Sequence, residues 1–116
     1  MQGKRLDRVN QLLKEEISTL LQRELKDPRL GFVTVTEVEV SKDLRQAKIF
    51  VSVLGDEAKW KSSLAALESA KGFVRNWLRQ HLELRVTPEL DFRPDHSLEH
   101  AARIQSLLKR VRTPGS

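Results

Sequence analysis

The chain is 116 residues long and carries 21 Lys and Arg against 16 Asp and Glu, a net charge of +5. That length suits one domain able to bury an apolar core, and the positive excess favours an acidic partner, nucleic acid first. The absence of cysteine excludes disulfides, thiolate metal sites and a Cys nucleophile, and no apolar run approaches the roughly 20 residues that cross a bilayer, so a soluble, cytoplasmic protein with no membrane partner is expected.

A first helix is predicted over residues 6–26, where Leu6, Val9, Leu13, Ile17, Leu20 and Leu21 form an apolar stripe at helical spacing. Asp27-Pro28 ends it, because a proline drives the residue before it out of helical geometry. Lys4, Arg5 and Arg8 crowd the entry end of this helix, where the dipole prefers anions, so they form a candidate patch with a use elsewhere. Residues 32–40 are rich in β-branched side chains and read as a strand. Its alternation changes phase, from Val33 and Val35 to Val38 and Val40, which predicts a bulge or a switch of buried face near Thr36-Glu37. After a turn at 41–45, residues 47–54 alternate cleanly through Ala47, Ile49, Val51 and Val53. The short connection makes the pair an antiparallel hairpin.

Helical spacing resumes over 58–82, about twice the usual helix length. Gly72 interrupts that stretch, and an interior glycine costs roughly 1 kcal/mol relative to alanine, so a bend or a close backbone approach is expected there. On one face Lys71, Arg75 and Arg79 recur every four residues and stack three cations in a row. The same row is what a solvated outer face looks like. Leu84, Val86, Leu90 and Phe92 then alternate as a third strand, with Pro88 demanding an edge position or a bulge. Asp95 or Ser97 caps a last helix striped by Leu98, Ala101, Ile104, Leu107, Leu108 and Val111. Residues 113–116 read as a disordered end, leaving 1–112 as one domain. Three strands with helices on one face make an α+β fold.

Catalytic and metal chemistry find little to stand on. His96 and His100 have the four-residue spacing of two helical metal ligands, but no third ligand motif accompanies them. Glu15 and Glu16 point about 100° apart on their helix and do not form a working pair. No nucleophile elbow or Gly-rich phosphate loop is present, so no enzyme, cofactor or small-molecule substrate is implied. Trp60 and Trp77 fall on the apolar stripe and belong to the core. Phe50 and Phe73 are the aromatics left for base stacking; Phe50 faces away from Ile49 and Val51 and is the better exposed candidate, though packing remains its favoured role.

Four segments carry a resemblance across nearly the whole chain. They are Arg5-Leu6-Asp7-Arg8-Val9, Leu25-Lys26-Asp27-Pro28-Arg29-Leu30-Gly31, Val38-Glu39-Val40-Ser41-Lys42-Asp43-Leu44-Arg45-Gln46-Ala47-Lys48, and Arg85-Val86-Thr87-Pro88-Glu89-Leu90-Asp91-Phe92-Arg93-Pro94-Asp95-His96-Ser97. Together they resemble the ribosome-binding factor A family of small-subunit assembly proteins. The resemblance implies a type-II KH-like fold in which the usual GXXG loop is replaced by a helix-kink-helix, matched here by Ala70-Lys71-Gly72. It implies a protein that binds the immature small (30S) ribosomal subunit and its rRNA and assists late maturation of 16S rRNA, including its 5′-end region; a monomer is expected. It implies, too, support of growth in the cold and a role in which no bond is made or broken. In that light Lys71, Arg75 and Arg79 become the favoured RNA contacts. Arg45 and Lys48 form a second wall of the same groove, and Lys4, Arg5 and Arg8 a third patch. The competing reading is a protein-interaction domain that uses a sheet edge or the first helix, its charge serving solubility alone.

Overall fold

The computed structural model describes residues 2–112, with side chains over 3–110. The elements are α1 (Gln2–Arg23), β1 (Phe32–Val40), β2 (Gln46–Leu54), α2 (Glu57–His81), β3 (Glu89–Pro94) and α3 (Ser97–Arg112). The disordered end expected at 113–116 lies outside the described residues.

Both ends of α1 differ from the expected 6–26. The helix stops at Arg23, so Leu25 and Lys26 join the connection instead. There Asp27 accepts the backbone N–H of Arg29 at 2.9 Å and its guanidinium at 2.8 and 3.1 Å, closing a local turn that competes with further helix. The turn leads into Gly31, whose N–H donates to the buried hydroxyl of Ser63 at 2.9 Å. A Cβ on Gly31 would sit 2.6 Å from Lys59 Cδ and 3.3 Å from Ser63 Oγ, so a glycine lets this loop close against α2.

The sheet order is β1-β2-β3, with β1 and β2 antiparallel. The register slips between Val35 and Glu37, which is the bulge the phase change foretold. Because of it Val33, Val35 and Val38 all turn inward with Ala47, Ile49, Val51 and Val53. α2 then crosses the sheet and returns the chain as β3, parallel to β2, as a parallel pair requires. Leu13, Ile17, Leu20 and Leu21 of α1 meet Trp60, Leu67, Ala70, Val74 and Leu78 of α2 over that inner face, giving one two-layer core. The result is the expected α+β, KH-like arrangement with a helix appended.

Two expectations are corrected. α2 stays helical through Gly72 as one element of 25 residues, so the division of this stretch into two helices at Ala70-Lys71-Gly72 is not seen. Nothing lies within 4 Å of a Cβ placed on Gly72, so no close approach explains that glycine either. Ala70, by contrast, is buried in the core. The third strand covers Glu89–Pro94 and omits residues 84–88. Pro88 has no N–H for a ladder and is buried just before it; pairing opens with the Glu89 N–H donated to the Arg45 carbonyl at 2.8 Å.

Asp95 joins the sheet to α3. Its N–H donates to the Val51 carbonyl at 2.7 Å, and its carboxylate accepts the Thr36 hydroxyl at 2.6 Å and the Ser97 N–H at 2.9 Å. Those bonds, Thr36 first, hold the Asp95 carboxyl below the usual carboxylate range. One turn on, Glu99 accepts the Trp60 indole N–H at 2.9 Å, while His96 stacks on the Trp60 ring at 4.1 Å. Beyond this base α3 stands open, with Ile104, Leu107 and Leu108 each more than half exposed.

Candidate nucleic-acid interface

The β1–β2 turn is built around Asp43. Its Oδ1 accepts the Ser41 hydroxyl at 2.6 Å and the Arg45 N–H at 3.1 Å, and these bonds, Ser41 first, keep the carboxyl ionised below its ordinary range. The next residue, Leu44, has φ 63°. A side chain in this left-handed region costs about 1–2 kcal/mol, so the surrounding turn must hold it there.

Two hollows open beside the turn. The first, about 230 Å³, lies between Arg5 and Leu6 of α1, Lys42 to Leu44 of the turn, and Arg85 and Val86 of the segment before β3. The second, about 370 Å³, is lined by Arg45, Gln46, Arg75, Val86, Thr87 and Glu89. Val86 is common to both, so the two adjoin as a trough in two parts, with Asp43 and Glu89 also in the lining. Arg5, Lys42, Arg45 and Arg85 line it, and among the described residues their side chains make no hydrogen bond or ion pair.

The three sequence patches reach this trough unequally. Arg5 is in its wall, while Lys4 and Arg8 lie exposed on the same helix end outside it. Arg45 and Arg75 line the second hollow together. Lys48 does not: strand alternation turns it to the sheet face opposite Ala47 and Ile49, with Glu39 and Asp91 as its register neighbours. Arg75 is also a structural strap, its Nε donating to the Pro88 carbonyl at 3.0 Å and its Nη2 to the Thr87 carbonyl at 3.1 Å. A guanidinium has five N–H donors, so it can still present others to an anion. Lys71 pairs with Glu68 at 2.9 Å one turn away, and Arg79 is exposed at the other end of the row. Lys42 and Arg85 went unselected in the sequence because each stands alone in a loop, outside any periodic row; only their places in the segments quoted above marked them.

Stacking platforms are few. Trp60 is buried and Trp77 packs against the core beside His81, ring centroids 3.7 Å apart. Phe50 is half-buried on the sheet, and Phe73 is 49% exposed, so Phe73 is the more accessible of the two. His96 is engaged by Glu99 and Trp60, and among the described residues no three His, Cys, Asp or Glu side chains gather to hold a metal ion. No helix among them is long and apolar enough to cross a membrane.

Comparison with known proteins gives a consistent result. The family model described as ribosome-binding factor A matches residues 5–108. The ribosome-binding factor A of Halothermothrix orenii is 52% identical over 112 residues, spanning 97% of this chain and 92% of its own. That of Desulfitobacterium hafniense is 53% identical over 108 residues, spanning 93% and 86%. The crystal structure of ribosome-binding factor A from Thermus thermophilus superimposes with a TM-score of 0.69 at 29% identity, covering 77% of this chain and 94% of that one. A Thermus thermophilus ribosome binding factor A homology model, fitted into the cryo-EM map of a 30S-RbfA complex, gives 0.63 at 30% identity, covering 74% and 90%.

Proposed function

The chain belongs to the ribosome-binding factor A family, and from that premise we propose that it binds the immature small ribosomal subunit through the basic trough beside the hairpin turn. It acts as a cytoplasmic monomer, assisting late maturation and 5′-end processing of 16S rRNA without catalysis. The observation that carries the reading is the convergence of Arg5, Lys42, Arg45 and Arg85, from separate stretches of chain, onto two adjoining hollows, with no side-chain hydrogen bond or ion pair holding any of the four among the described residues. Such a surface suits the phosphates of a folded RNA, which is read by shape and backbone. Arg75, Arg79 and Lys71 extend the charge along α2. The relative fitted into a 30S complex supports the same partner.

Salt titration of rRNA binding tests the assignment. Affinity should fall steeply with ionic strength, and each phosphate contact removed should reduce the logarithmic slope by about 0.7–0.9. Replacing Arg5, Lys42, Arg45 and Arg85 with Gln should flatten the slope while leaving the melting temperature close to that of the native chain. The native protein should sediment with immature rather than mature subunits, and the fourfold variant should not. Unchanged affinity and slope in that variant would move the contact elsewhere, to a protein-facing sheet edge or to α1.

A further inference from the structure

We propose that the smaller hollow, rimmed by Arg5, Lys42 and Arg85, receives a single unpaired nucleotide extruded from structured RNA, with its base laid against Leu6, Leu44 and Val86. The proposal rests on the trough being an RNA surface and adds what that surface selects. Phosphates alone would satisfy the three cations but leave the three aliphatic side chains wet. A base offers a flat, weakly polar face that takes them out of water, while its flanking phosphates reach the rim. At about 230 Å³ the space falls below the roughly 300–1,000 Å³ of pockets for drug-sized ligands, so it suits one ring system and not a stacked run.

Asp43 fits the same occupant. Its carboxylate lines the hollow, with Oδ1 taken by Ser41 and Arg45. A carboxylate oxygen has several lone-pair sites, so Asp43 can also accept an N–H from a base edge, and its negative charge disfavours a phosphate beside it. The left-handed backbone at Leu44 holds an aliphatic side chain in the wall of the hollow where glycine would be the easier residue. The neighbouring hollow lacks these features: Arg75 is partly spent on carbonyls there, and Val86 is its one aliphatic wall.

Two RNA duplexes of equal length, one perfect and one with a single bulged 2-aminopurine, provide the test. The native protein should bind the bulged duplex roughly tenfold more tightly, with a change in 2-aminopurine fluorescence. Filling the hollow with Val86→Trp, or independently with Leu6→Trp, should bring the affinity ratio to parity and abolish the fluorescence change, circular dichroism confirming the fold. Equal binding of both RNAs by the native protein overturns the proposal, as does a preference that survives both fillings. Failure of either duplex to bind removes the RNA reading itself, and this one with it. Adenosine monophosphate at millimolar concentration should leave the bulged complex intact; displacement at micromolar concentration would assign the hollow to a free nucleotide instead.

Discussion

Arg75 shows how a side chain chosen for charge can be committed to structure. Its two hydrogen bonds to Thr87 and Pro88 hold the segment that leads into β3, and a hydrogen bond from a charged donor contributes about 1.5–3 kcal/mol. Arg75→Ala should therefore lower the melting temperature by several degrees, whereas Arg79→Ala, one turn along, should leave it unchanged. The four-residue spacing made both residues legible as one row, but only the fold distinguishes the strap from the exposed cation. Asp95 carries the matching pH dependence. Its folded pKa lies below the ordinary 3.8, so its contribution is complete above that value and is lost as the pH falls through the lower folded value. Thermal melts of Asp95→Ala should thus show a deficit at neutral pH that narrows in strong acid.

At the level of elements, periodicity was a sound guide wherever side chains pack and a poor one where they do not. The valine phase change located the bulge because buried residues must share a face. The alternation of Leu84 and Val86 overstated β3, since alternation alone cannot supply the N–H that Pro88 lacks. Gly72 misled for the opposite reason: a residue without a side chain signals a break only if the backbone departs from a helix, and here it does not. With open space at its Cβ, Gly72→Ala should stabilise the protein by about 0.5–1 kcal/mol, measured by urea denaturation. A loss of RNA affinity in that variant would show that the bare backbone itself is used. The docking of α3 makes a second element-level prediction. Glu99→Ala removes the bond to Trp60, so amide exchange should accelerate along α3 while α1, α2 and the sheet keep their protection.

Taken whole, the molecule is extended, 61 by 40 by 19 Å, with a radius of gyration of 17.0 Å where about 13 Å is usual for a compact domain of this size. The basic trough belongs to this scale. Arg5 and Arg85 are 80 positions apart in the chain, and nothing in either neighbourhood announces the other. What the sequence did carry was the composition that called for an acidic partner and the four segments whose resemblance named the family. The sheet has a further consequence. Its two outer margins, β1 and β3, are both spoiled as templates: β3 begins just after one proline and ends on another, and β1 is dislocated by its bulge and studded with Glu37 and Glu39. Copies of the chain concentrated together should consequently resist edge-to-edge zipping, and prolonged incubation should yield no thioflavin-binding fibrils.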